Sequence, residues 1–144
     1  TGPGGLDLAL VRIPATPDRV LELTATSSVR TGSVVAVVGH GEGLLWSFAT
    51  GLVSNAAPAG PDASLLALQV PLRPGASGGP VVDRSGRVVG VVALGGGGTA
   101  FAVRSDAVLR AFPELAGAAA AGPRRPGRVV AARTPSLTRS HPDQ

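Results

Sequence analysis

The sequence predicts an all-β domain: a small antiparallel β-barrel closed by one short C-terminal helix. Three observations predict it. Apolar residues make up 44% of the chain and aromatics only 3%. The apolar set is mostly Val, Leu and Ala, and Val-rich short runs suit strands. Gly and Pro are numerous, at 21 and 13 residues, but most of them punctuate the apolar runs instead of forming a low-complexity tract. Asp83-Arg84-Ser85-Gly86, between two Val-rich runs, is a hairpin turn signal.

The elements follow in order. Residues 1–5 read as a loop. Leu6 to Ile13 alternates apolar and other residues and predicts a strand ended by Pro14. Val20 to Leu23 is a further short strand. Ser33 to Val38 is a continuous apolar run closed by Gly39-His40-Gly41, and predicts a strand buried on both faces. Trp46 to Asn55 alternates Trp46, Phe48, Leu52 and Val53, with Gly51 as the expected site of a bulge. Residues 56–62 form a Pro/Gly/Ala loop, and Leu65 to Val70 is a strand ended by Pro71. Pro80–Val82 and Arg87–Leu94 flank the hairpin turn. Gly95 to Gly98 is expected to break the strand as a flexible loop before Thr99 to Val103. Ser105 is expected to cap a helix over Asp106–Phe112, with Asp106 favouring its N-terminus and Pro113 following its end. From residue 113 the pattern collapses into Ala, Gly, Pro and Arg. The division is therefore a folded domain over 1–112 and a disordered tail over 113–144.

Charge follows the same division. The net charge is +4, but Arg124, Arg125, Arg128, Arg133 and Arg139 all lie in the tail. The tail is read as a solvated basic segment, and no nucleic-acid partner is expected. No cysteine is present, so disulfides and thiolate metal sites are excluded. No cofactor is expected, and no run is long enough for a transmembrane segment. The chain opens on Thr1, so an upstream portion is expected to have been removed.

The chemistry centres on Gly75-Ala76-Ser77-Gly78-Gly79-Pro80. A serine hydroxyl is a poor nucleophile, and it needs a fixed tight turn with backbone N–H groups aimed at a developing oxyanion. Gly75 lets the loop turn with its N–H exposed. Gly78 and Gly79 let the chain pass closely into the next strand, which Pro80 tolerates at its first position. Taken alone, Ser-Gly-Gly is equally compatible with an ordinary turn.

Several elements in order resemble the second barrel of the chymotrypsin fold in trypsin-like serine proteases, nearest the HtrA-type branch. They are Asp7-Leu8-Ala9-Leu10, Gly32 to Gly39, Gly75 to Pro80, Asp83 to Val91, and Phe101-Ala102-Val103 before Ser105. The resemblance covers residues 6–112. It implies a serine endopeptidase working through an acyl-enzyme, with Ser77 as nucleophile and Asp7 as the acid that orients a histidine. The N–H groups of Gly75 and Ser77 would form the oxyanion hole. Pro71, Leu72, Ala93, Leu94 and Gly95 would bind the polypeptide substrate, with an apolar pocket for a small or medium aliphatic side chain. Pro71 stands six residues before Ser77, where trypsins carry an acidic residue. The resemblance also favours a secreted, periplasmic or cell-envelope location.

The family's histidine lies before its aspartate, and no histidine precedes Asp7. His40 is read as a turn residue and His141 as part of the tail. The expectation is therefore a fragment lacking the histidine-bearing N-terminal barrel and inactive alone. The alternative is a pseudoprotease that binds peptides or proteins without cleaving them. Ala76 replaces the Asp or Asn usual before the nucleophile, which argues against activation by a newly freed N-terminus.

Overall fold

Six strands in the computed structural model close into one antiparallel barrel in the order β1-β2-β3-β6-β5-β4. They are β1 (Val34–Gly39), β2 (Ser47–Asn55), β3 (Leu65–Gln69), β4 (Pro80–Val82), β5 (Val88–Gly96) and β6 (Thr99–Arg104). One helix, α1 (Ser105–Ala111), follows, then a 3-10 turn at Pro113–Ala116. The structure describes residues 6–14, 19–24, 29–43, 45–58, 64–96 and 98–116, with only the backbone of 94–96.

Closure works because alternation puts one row of each strand inside. Val35 and Val37 of β1, Val53 of β2, Leu66 and Leu68 of β3, Val81 of β4 and Ala100 and Ala102 of β6 are all buried in a single cluster. Each buried Val or Leu side chain contributes about 1.5–3 kcal/mol relative to its exposed state. A second cluster lies outside the barrel wall, where Val103, Ala107 and Val108 gather Leu65, Val91 and Phe112 under α1.

Several expectations are corrected. Residues 6–13 form no strand. The six barrel strands pair with one another, and these residues join none of them. Among the described residues the Leu8 N–H donates to the Leu6 carbonyl (3.0 Å), and Leu6 and Leu8 pack on the α1 cluster. Val20–Leu23 reduces to a parallel bridge between Leu23 and Val88. β1 is buried on one face only, with Val34 39% exposed, because α1 covers the β3-β6-β5 wall and leaves β1-β2 open. Gly51 is not a bulge. It pairs in register with Val35, and the shift falls between Val53 and Asn55. A Cβ at Gly51 would meet the Gln69 carbonyl oxygen at 2.0 Å, so glycine is required by close backbone approach.

Gly95 and Gly96 do not break their strand. They pair with Ala100 and Thr99, and the hairpin turns beyond them at Gly98, where φ is +88°. Ser105 is not the helix cap. It is the first helical residue, Arg104 occupies the cap without a side-chain bond, and the buried Ser105 hydroxyl donates to the Val88 carbonyl (2.8 Å). That bond ties α1 to β5. Of the 113–144 stretch, residues 113–116 form the 3-10 turn, with Leu115 against the outer cluster. The rest of that stretch, with His141, lies outside the described residues.

Candidate active site

Ser77 stands at the corner of the second of two overlapping tight turns. In the first, the Ala76 N–H donates to the Arg73 carbonyl (3.1 Å), and in the second the Gly79 N–H donates to Ala76 (3.0 Å). The third residue of each turn is a glycine with positive φ: Gly75 at +98° and Gly78 at +83°. That is the requirement of type II turns, for which Pro74 at the second position of the first is well suited. Ser77 takes the corresponding position in the second turn and is exposed.

The loop is bolted to the barrel on two sides. The Gly78 N–H donates to the Val92 carbonyl (2.7 Å) and the Val92 N–H to the Gly79 carbonyl (2.9 Å), extending the β4-β5 ladder up to the Ser77 turn. Behind it, Ala76 is 5% exposed and sits against Gly39, where an added Cβ would lie 3.3 Å from the Ala76 Cα. A Cβ at Gly79 would meet the Val38 carbonyl oxygen at 2.4 Å. Among the described residues, neither the Gly75 nor the Ser77 N–H donates a hydrogen bond. Two uncommitted donors flank an exposed hydroxyl, an arrangement suited to receiving an oxyanion.

Asp7 is on a different element. It lies in the bend between Leu6 and Leu8, and its side chain is exposed. Among the described residues no hydrogen bond joins it to Ser77. His40 is exposed at the end of β1. A Cβ at Gly75 would come within 2.7 Å of its carbonyl oxygen, so what it contributes to the loop is backbone packing.

The residues expected to bind substrate lie on different elements, and of Leu94 and Gly95 only the backbone is described. Pro71 and Leu72 line a small hollow of about 130 Å³ together with Val37, Phe48, Ala49 and Ala76. Ala93 instead packs on the outer cluster with Val103 and Ala107. The backbone of β5 runs on from Val92 to Gly96, paired with β6 on one side. On the other side β4 reaches only Val91, with Gly78 and Gly79 taking Val92. Among the described residues, nothing pairs with Ala93, Leu94 and Gly95 on that side.

Two contributors escaped the sequence reading. Pro74-Gly75 was a legible type II turn signal that fixes the first turn. Glu42 was not legible. It sits in the 3-10 turn Gly41–Gly43 with φ 52° and ψ 34°, and its carboxylate accepts from Arg73 at 2.6 Å.

A closed antiparallel barrel whose Gly-Ala-Ser-Gly-Gly-Pro turn feeds β4 is the arrangement expected of a chymotrypsin-type second barrel. Residues 2–91 match the Trypsin-like peptidase domain, and the chain belongs to that serine protease-type family. An uncharacterised protein of Sinorhizobium fredii is 36% identical over 90 residues, covering 60% of this chain and 14% of that protein. A "Probable periplasmic serine endoprotease DegP-like" of Hahella chejuensis is 30% identical over 118 residues, covering 76% of this chain and 25% of that protein. The chain thus spans a quarter or less of the length of these relatives. Among solved structures, the HtrA-type protease AlgW with a decapeptide aligns with TM-score 0.60 at 20% identity, over 69% of this chain and 34% of that one. Rv3671c of M. tuberculosis, solved as an inactive Ser-to-Ala mutant, aligns with TM-score 0.60 at 22% identity, over 77% of this chain and 58% of that one.

Proposed function

We propose that this chain is the nucleophile-bearing barrel of a serine endopeptidase. Ser77 attacks a peptide carbonyl, and the N–H groups of Gly75 and Ser77 hold the tetrahedral oxyanion. The attack forms the Ser77 Oγ–acyl bond and expels the amine, and water then hydrolyses the ester. Asp7 orients and stabilises a histidine carried by a barrel that precedes this one. The substrate is a polypeptide, which pairs its backbone with the Ala93–Gly95 edge by strand addition. Pro71 and Leu72 favour an apolar side chain beside the cleaved bond. Alone, without that histidine, the present chain cleaves nothing.

The observation that best supports this reading is the exposed Ser77 hydroxyl between two uncommitted N–H donors on a turn tied to Val92. The open Ala93–Gly96 edge would serve peptide capture without cleavage equally well, and so favours a peptide-binding pseudoprotease as the second reading. A fluorophosphonate probe separates the two in the full-length protein. Labelling that disappears in Ser77→Ala supports the peptidase. Absence of labelling in a folded protein that still binds peptide supports the second reading.

A further inference from the structure

The segment that carries the oxyanion donors is backed by a second short turn, and the two are joined by more than packing. Glu42, between two glycines, holds a left-handed backbone that non-glycine residues adopt at a cost. Its N–H donates to the Pro74 carbonyl at 2.8 Å, and its carboxylate takes the Arg73 guanidinium at 2.6 Å. Next to it, Gly41 is buried and its N–H donates to the Ser47 hydroxyl (3.3 Å). A Cβ at Gly41 would touch the Arg73 Cβ at 3.0 Å. Residues 41–42 are thus anchored to β2 through Ser47 and grip Arg73 and Pro74, which lie just before Gly75.

The grip falls where it governs one thing. Arg73 and Pro74 are the first two positions of the turn whose third is Gly75, so their placement sets where the Gly75 N–H points. As a stabiliser of the fold the pair would be poor. Both side chains are half-exposed or more, at 64% and 50%, and such pairs contribute little to global stability. A strained backbone at Glu42 makes more sense as the cost of aiming a neighbour.

We propose that Glu42 and Arg73 are positioning residues: their ion pair braces the Arg73–Gly75 turn so that the Gly75 N–H is aimed for oxyanion binding. Neither touches substrate. The proposal rests on the peptidase reading for its catalytic consequence, and on the turn geometry alone for its structural one.

A double-mutant cycle in the full-length protein tests it. Glu42→Ala and Arg73→Ala are each expected to lower kcat by about two- to five-fold, the range an exposed pair supports, with KM little changed. The double variant should be no worse than either single one, since both remove the same contact. The charge-swapped pair, Glu42→Arg with Arg73→Glu, should recover part of the loss. High salt should shrink the wild-type advantage, because about 1 M salt screens beyond roughly 3 Å.

Hydrogen exchange supplies a readout independent of turnover. The amides of Ala76, bonded to the Arg73 carbonyl, and of Glu42, bonded to the Pro74 carbonyl, should exchange faster in each single variant at unchanged melting temperature. Unchanged exchange, or additive losses in the double variant, overturns the brace. Retained turnover or labelling in Ser77→Ala would instead overturn the peptidase reading, leaving the exchange result to judge the brace.

Discussion

The Ser77 turn and the Asp7 arm are built in opposite ways. Around Ser77 every neighbouring residue is held: Ala76 by burial against Gly39, and Gly78 and Gly79 by the ladder to Val92. Around Asp7, Leu6 and Leu8 rest on the α1 cluster, and one short-range backbone bond closes the bend. Beyond it the arm leaves Leu10, Val11 and Ile13 exposed, at 40%, 76% and 60%. The order of the Ser77 turn is thus intrinsic to the barrel, because the turn continues the β4-β5 ladder. Placement of Asp7, the proposed acid, rests among the described residues on two leucines.

The largest expected effect breaks the comparison at its loose end. Asp7→Asn in the full-length protein should lower kcat by roughly 10⁴-fold, as loss of a triad acid does. Since Asp7 is exposed and makes no hydrogen bond or ion pair among the described residues, the melting temperature should stay within about 4 °C of wild type. Steady-state kinetics beside a thermal melt check both halves. A variant that unfolds while retaining its residual activity would mean that Asp7 is structural and the contrast misdrawn.

The next effect breaks the tight end. Gly79→Ala forces a Cβ to within 2.4 Å of the Val38 carbonyl and 2.9 Å of the Ala76 carbonyl. Both are backbone atoms that cannot swing aside, so a loss of about 2–3 kcal/mol is expected, together with loss of fluorophosphonate labelling. Gly78 is the useful control. Nothing lies within 4 Å of its Cβ position, and there only the positive φ is strained, at about 1–2 kcal/mol. Denaturant melts should therefore rank Gly79→Ala below Gly78→Ala, and a reversed order would show that the turn, not the fit behind it, governs the loop.

The same contrast explains what could be read from the sequence. The barrel was legible wherever a local signal and the tertiary structure agree. β4 starts and ends where Pro80 and the Asp83–Gly86 turn say it should, and β1, β2 and β3 lie within a residue of their apolar runs. The Ser77 turn was legible because its glycines and proline are local necessities. Leu6–Ile13 misled because alternation reports which side chains could line a sheet face, whereas pairing is a tertiary matter, and the six barrel strands complete their order without this segment. Gly51 misled for a related reason. A glycine in a strand reads as a bulge or as a close approach, and only the position of the Gln69 carbonyl decides between them. Ser105 likewise has the composition of a cap, but β5 offers the buried Val88 carbonyl and wins its hydroxyl. The Glu42–Arg73 contact, 31 residues apart in sequence, has no local signature at all.

The smallest effect sharpens the comparison from the far pole of the barrel, where a similar ion pair closes the β4-β5 hairpin without any oxyanion donor beside it. Burial works against the charged form of Asp83. It is outweighed by the backbone N–H groups of Arg87 and Ser85 and by the Arg87 guanidinium, which together hold its carboxyl below the ordinary 3.8. The backbone donors lie at 3.0 and 2.8 Å and the guanidinium at 3.0 Å. A depressed folded-state pKa gives stability that is present above the unfolded value and is lost as pH falls through the folded one. Asp83→Asn should therefore be less stable than wild type at neutral pH, with the gap closing only below about pH 4. Because Arg87 is 41% exposed, the ion-pair part of that gap should be no more than about 0.5–1 kcal/mol. Thermal melts of both proteins between neutral pH and pH 2.5 read it directly. Full activity in Asp83→Asn, beside reduced kcat in Glu42→Ala, would distinguish a pair that holds a hairpin from one that aims a donor. A gap that persists unchanged into acid would mean the hairpin depends on the Asp83 side chain's shape and not on its charge.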